Sequence, residues 1–281
     1  MIKLGIIGYP LLHSLSPVMQ NAALQEKGID GDYQLLETPP KKLKMQVEFL
    51  KTSGFRGFNV TIPHKVAIMK LLDNIDEFAV KVGAVNTVVI GDNQELTGYN
   101  TDVYGFIQAI PVEIRENLSR KRAAIFGSGG AARAVIAGVY ELGIREISLF
   151  ARNKEQSDEL IEALSNNFKD LKVNYTSLQE NVDMSEVSLV VNTTPLGMQG
   201  NLENISPLNS YSLDSLDKDA LVYDIVYRPK KTKLLKIAQG KGFKTQEGLD
   251  MLILQGAKGF HLWTGAEPNI EAMKKAILLV I

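Results

Sequence analysis

The hydrophobic and polar positions along the chain alternate between short apolar runs and amphipathic stretches, with turns between them. Ile2 to Ile7 is apolar apart from Lys3 and stops at Gly8-Tyr-Pro10, which predicts a strand buried on both faces. A helix is predicted over 17–27, ending at Gly28, then a strand over 32–36, a helix over 41–51 and a strand over 57–61. Pro63 is placed to open another helix. Residues 84–90 and 95–99, with a turn at Asp92-Asn93, predict a hairpin, and a helix over 103–110 leads to Pro111. Charged residues at 115–116 and 120–122 mark a polar crossing, after which the alternation restarts. It runs as strand 123–126, helix 130–142, strand 145–150, helix 155–166 and strands 172–175 and 188–192. A polar, Ser-rich surface loop is predicted over 201–219, then strand 221–226, helix 232–239, strand 243–246 and helices over 249–262 and 269–281. Two separate runs of strand and helix predict an α/β protein of two domains.

The second run opens on the most informative stretch, Ala123 to Ala132. A short buried strand enters Gly127-Ser-Gly-Gly-Ala-Ala132 and leaves as a helix, the pattern of a Rossmann-type, doubly wound dinucleotide-binding unit. Gly127 permits the sharp turn, Gly129 a close approach to a pyrophosphate, and Ala132 tight packing of helix on strand. The helix N-terminus offers free N–H groups and the positive end of its dipole to phosphates. The same turn also joins strands to helices where nothing binds. The next strand ends at Phe150-Ala-Arg-Asn153, without the acidic residue that holds the ribose 2′-hydroxyl of NAD. Arg152 with Lys154 suits a 2′-phosphate instead, so NADP is the expected cofactor; a surface arginine in a loop is the bland alternative.

Composition narrows the chemistry. With 31 basic and 32 acidic residues the net charge is -1, which removes the electrostatic case for a nucleic-acid or membrane-surface partner. The chain has no cysteine, so thiolate metal sites and a cysteine nucleophile are excluded. Three scattered histidines (His13, His64, His261) do not form a typical zinc site, and no metal is expected. The first residues lack the marks of a signal peptide, and no stretch is apolar for long enough to cross a bilayer; a cytoplasmic protein is expected.

Four stretches outside the glycine turn carry candidate chemistry. In His13-Ser-Leu-Ser-Pro17 an extended backbone would turn Ser14 and Ser16 to one side, suited to a carboxylate or vicinal hydroxyls, while Ser16 alone reads as a helix N-cap before Pro17. In Asn59-Val-Thr-Ile-Pro-His-Lys65, Asn59 and Thr61 share one face of a strand end. Lys65 falls in the first turn of the helix expected at Pro63, where the dipole disfavours its charge. That suits a proton-transferring lysine, although a solvated lysine fits as well. Asn86-Thr87 opens an apolar run, and Asp102 in Gly98-Tyr-Asn-Thr-Asp102 is either an N-cap or a catalyst. Lys65 and Asp102 both lie just past expected strand ends, where open α/β sheets place their ligands.

In order and across the whole chain, these stretches resemble the shikimate dehydrogenase family. The pattern continues through Gly83 to Thr87, Asn192-Thr-Thr-Pro-Leu-Gly197, Asp224-Ile-Val-Tyr227 and Gly248 to Ala257. The resemblance implies a substrate-binding domain over 1–110 completed by C-terminal helices in 249–281, and an inserted NADP domain over 111–248. It implies reversible NADPH-dependent reduction of 3-dehydroshikimate to shikimate, in aromatic amino-acid biosynthesis, by a monomer or homodimer. By matching position, Lys65 and Asp102 would be the catalytic pair. Ser14 and Ser16 would hold the substrate carboxylate with Tyr227 nearby, and Asn59, Thr61, Asn86, Asp102 and Gln255 its hydroxyls. The cofactor would rest on Gly127, Ser128, Gly129, Gly130, Ala131 and Ala132, on Arg152, Asn153 and Lys154, and on Thr193, Ile225, Gly248 and Met251. Three positions depart from the family pattern: Ala151 with Gln156 in the NADP loop, Ile225 for a common methionine, and Pro195 for a common serine. The rival readings are a quinate/shikimate dehydrogenase using NAD and a non-catalytic NADP-binding regulator.

Overall fold

The computed structural model of the protein describes residues 1–11, 14–119, 121–178, 184–209 and 211–281. They form two compact units, one of Met1–Gly105 with Ile253–Ile281 and the other of Phe106–Leu252.

The first unit is built on a six-stranded mixed sheet. Its strands are β1 (Ile2–Gly8), β2 (Gly31–Glu37), β3 (Phe55–Val60), β4 (Asn74–Ile75), β5 (Thr87–Ile90) and β6 (Leu96–Tyr99). They lie in the order β2-β1-β3-β5-β6-β4. β1 is parallel to β2 and β3, whereas β3–β5 and β5–β6 are antiparallel, the latter the predicted hairpin. Register aligns Asn59 with Thr87 and Thr87 with Tyr99, so a row of polar residues crosses β3, β5 and β6. Helices α1 (Ser16–Glu26) and α2 (Leu43–Thr52) follow β1 and β2, and α3 (Glu77–Val82) precedes β5. Leu43, Val47 and Leu50 of α2 pack with Phe58, Val60, Ile68 and Val88 into one core.

Four local expectations fail here. No α-helix opens at Pro63: the Ile62–Pro63 peptide is cis, and the next helical residues are a 3₁₀ turn at Ala67–Leu71. α3 and β4 were not legible from the pattern. Ser16 is the first residue of α1 rather than its cap, and Leu15 at the cap position is in the right-handed helical region, so Ser14 and Ser16 do not lie on extended backbone. The fourth concerns Asp102, which is likewise a helical residue, the first of α4 (Asp102–Ala109).

The second unit has a fully parallel sheet of β7 (Arg122–Phe126), β8 (Glu146–Ala151), β9 (Lys172–Ser177), β10 (Val187–Asn192), β11 (Leu221–Asp224) and β12 (Lys244–Glu247). The order β12-β11-β10-β7-β8-β9 is the doubly wound order 3-2-1-4-5-6 read from its far edge. Helices α5 (Val112–Arg115), α6 (Gly130–Glu141), α7 (Lys154–Ser165) and α8 (Lys233–Gly240) accompany it. The segment 201–219 is not only a surface loop: Leu208, Leu213 and Leu216 are buried in the core with Phe126, Phe150 and Val222. Helix α9 (Gly248–Thr264) and α10 (Ile270–Leu278) end the chain. Among the described residues no helix is long and apolar enough to cross a membrane.

Candidate active site

In the first unit, long-range hydrogen bonds rather than a helix hold the segment that carries Lys65. His64, almost wholly buried, meets the Thr38 carbonyl through Nε2 at 2.6 Å, and the Val85 N–H donates to the Lys65 carbonyl at 2.8 Å. Two neighbouring chain segments therefore fix the backbone on either side of the lysine. Its Nζ reaches Asp102 Oδ2 at 2.7 Å, with the side chains 13% and 9% exposed. Both groups are largely withdrawn from water, so each depends on the other for compensation. The helix-dipole argument for Lys65 lapses, and the carboxylate becomes its defining neighbour. Asp102 is free for that contact because Asn100 does the capping work: its Oδ1 accepts from the Val103 N–H and its Nδ2 donates to the Ala84 carbonyl.

The polar row beside this pair is densely bonded. Asn86 Oδ1 accepts from the Thr101 N–H at 2.7 Å, and Nδ2 donates to Thr101 Oγ1 at 3.0 Å and to Gln255 Oε1 at 3.3 Å. Asn59 Nδ2 donates to the Asn86 carbonyl and to Thr87 Oγ1, and Asn59 Oδ1 accepts from the Tyr33 hydroxyl at 2.6 Å. Thus Asn59, Asn86, Asp102 and Gln255 are brought together, with Gln255 arriving on α9 from the far end of the sequence. Thr61, one residue past β3, is partly buried and pinned by its N–H to the Ile7 carbonyl. Ser14 is partly buried; its Oγ accepts from the Ser16 N–H at 3.4 Å. His13 lies outside the described residues. Thr87, read from sequence as half of a polar pair, belongs to this cluster, as do Tyr33 and Thr101, which were given no role from sequence. For Tyr33 the available signal was a tyrosine in a predicted strand, whose hydroxyl needs a partner once buried.

In the second unit the glycine turn lies between β7 and α6, at the switch point where the strand order reverses. Gly127 has φ +108°, and a Cβ there would sit 2.6 Å from Thr193 Oγ1, so only glycine lets the two loops meet. A Cβ at Gly129 would touch nothing within 4 Å, and α6 carries no side-chain cap. Gly130, Ala131 and Ala132 form its first turn, with Ala132 fully buried against the strand. Open space in front of an uncapped helix start fits a pyrophosphate. Thr193 donates through Oγ1 to the Phe126 carbonyl at 2.7 Å, leaving its oxygen facing the turn. Gly248 permits another close approach, since a Cβ there would lie 2.2 Å from the Ile225 carbonyl oxygen. Ile225 is partly buried and Met251 buried. Arg152 is exposed, Asn153 caps α7 by accepting from the Gln156 N–H at 3.0 Å, and Lys154 pairs with Asp158 at 2.6 Å.

A buried carboxylate steadies this end of the sheet. Asp224 accepts from Asn192 Nδ2 and the Val226 N–H through Oδ1 and from Thr232 Oγ1 through Oδ2. Burial pushes its pKa up to about 6, against the opposing effect of these three donors. Pro195 withdraws nothing from this network: Thr194 supplies the local bonds, its hydroxyl donating to Asn192 Oδ1 at 2.6 Å. Tyr227, partly buried beyond β11, has its phenol pKa raised by burial, with Arg228 opposing. Among the described residues no group of three or more His, Cys, Asp or Glu could hold a metal.

A glycine turn at the switch point of a parallel sheet in this order is the mark of the dinucleotide-binding α/β proteins. The family model described as the shikimate dehydrogenase substrate binding domain matches residues 6–88, and that of the shikimate 5′-dehydrogenase C-terminal domain matches 248–278. The shikimate dehydrogenase (NADP(+)) of Methanococcus aeolicus is 41% identical over 278 residues, covering 99% of this chain and 97% of that protein. Among solved structures, shikimate 5-dehydrogenase from Thermus thermophilus, in complex with NADP(H) and shikimate, is similar over the whole of both chains, with TM-score 0.85 and 34% identity. Quinate dehydrogenase from Corynebacterium glutamicum, in complex with NAD, is similar over 99% of each chain, with TM-score 0.90 and 32% identity. The chain belongs to the shikimate dehydrogenase family.

Proposed function

We propose that this protein catalyses the reversible NADPH-dependent reduction of 3-dehydroshikimate to shikimate, in the cytoplasm, with no nucleic-acid or membrane partner. The observation that carries the reading is the Lys65–Asp102 pair at 2.7 Å, set just past β3 and at the start of α4 beside a cluster of amide and hydroxyl groups. The names and bound ligands of its relatives support the same reaction.

When bound, NADPH supplies the hydride. Gly127 to Ala132, Thr193, Gly248 and Met251 would hold it, with Arg152 and Lys154 on its 2′-phosphate. As the carbonyl carbon of 3-dehydroshikimate gains a hydride, its oxygen must gain a proton. Lys65 Nζ gives that proton in reduction and takes it back in oxidation. Asp102 orients the ammonium and holds the neighbouring hydroxyl. Ser14 and Ser16 bind the carboxylate, while Asn59, Thr61, Asn86 and Gln255 bind hydroxyls.

The deciding assay compares kcat/KM for shikimate with NADP+ against quinate with NAD+. The expected result is a clear preference for the first pair; a preference for quinate with NAD+ would replace this reading by the quinate one, and no turnover with either by the regulator.

A further inference from the structure

We propose that Tyr33 is a positioning residue for substrate recognition, its hydroxyl holding the Asn59 amide oxygen in place as an acceptor for a substrate hydroxyl. The inference rests on the proposed substrate and on geometry within the first unit.

The orientation of Asn59 is determined by its neighbours. The Asn86 backbone carbonyl can only accept, so the group facing it at 3.1 Å must be Nδ2. The second Nδ2 hydrogen goes to Thr87 Oγ1 at 3.0 Å, which exhausts the donors. Oδ1 then faces the Tyr33 hydroxyl at 2.6 Å, and the phenol must donate. One Oδ1 lone pair is left. A substrate hydroxyl held by Asn59 therefore has to donate to it.

Tyr33 is built to hold this place. Its N–H donates to Asn21 Oδ1 at 2.8 Å and its carbonyl accepts from Asn21 Nδ2 at 3.2 Å, so α1 clamps the strand from both sides. Its ring lies 6.1 Å from that of Trp263, tilted by 50°, and Trp263 is anchored in turn by Nε1 donating to the Val88 carbonyl. Burial raises the phenol pKa well above its ordinary value, so the hydroxyl keeps its proton wherever the enzyme works. A tyrosine serving only to fill the core would need the ring and not the bond.

Tyr33→Phe separates these roles because it keeps the ring. The expected result is a KM for shikimate raised about tenfold, the effect of one hydrogen bond near a buried polar group. KM for NADP+ and kcat at saturation should stay within about twofold. Asn59→Ala supplies the second measurement: it should raise KM for shikimate by itself, and adding Tyr33→Phe should raise it no further. A lower melting temperature with unchanged KM for shikimate would make Tyr33 a core residue only and overturn the proposal, as would independent, multiplying effects in the double variant. A wild-type enzyme inactive on shikimate would instead defeat the proposed function, so the two failures are read from different arms.

Discussion

Lys65 and Asp102 stand 37 positions apart in the chain, yet the ammonium and carboxylate meet at 2.7 Å. One follows β3 and the other begins α4, and each is withdrawn from water. Such a pair contributes in two separable ways, to turnover and to the integrity of the first unit.

Lys65→Ala is expected to lower kcat at least about 10²-fold with KM little changed. It also leaves a buried carboxylate without its partner, a loss on the order of 3 kcal/mol. Adding Asp102→Asn should restore most of the melting temperature and none of the turnover. Near-normal kcat in Lys65→Ala would remove the lysine from the chemistry.

Asp224 gives a pH signature. Its folded pKa of about 6 lies above the ordinary 3.8, so between these values the folded state holds a proton that the unfolded chain has released. Its contribution is present in full below the lower value and is lost as pH rises through the upper one. The gap of about two pH units corresponds to about 3 kcal/mol. Asp224→Asn should therefore gain on the wild type by about that amount from pH 4 to pH 7 in denaturant titrations. Parallel profiles would show that the carboxylate does not titrate in this window.

Cofactor choice is expected to depend on the two cations unequally. Lys154 is held by Asp158 at 2.6 Å, while Arg152 is exposed. Arg152→Ala should cut the kcat/KM ratio of NADP+ to NAD+ by about tenfold, one charge-assisted bond, and Lys154→Ala by less. Equal losses would mean that the Asp158 pair opens when the phosphate binds.

Gly248→Ala tests the close approach at the start of α9. The added methyl would lie 2.2 Å from the Ile225 carbonyl oxygen, and backbone cannot yield as a side chain can. A loss of about 1–3 kcal/mol in stability is expected by chemical denaturation.

Much of this fold was legible because its signals are local. The apolar runs at 123–126 and 188–192, and the glycine turn after the first, state their geometry within a few residues. The surroundings of Lys65 were not legible for the opposite reason. Residues 61–66 take their shape from Thr38 and Val85, which no window around Pro63 contains. The capping readings of Ser16 and Asp102 failed similarly, because Asn100 supplies the bond at α4 and α1 begins one residue earlier than Pro17 suggested. Tyr33 stayed hidden in a strand that reads only as a strand, since its importance comes from Asn59.

Trp263 carries one more consequence. Its indole covers Gly57, where any Cβ would lie 2.2 Å from Nε1, and it walls in the ring of Tyr33. The strands of the first unit leave the ribosome early, yet the residue that seals them is translated after the whole of the second unit. Synthesis thus starts this unit first and completes it last, and until then its sheet offers bare surface for chaperones to guard.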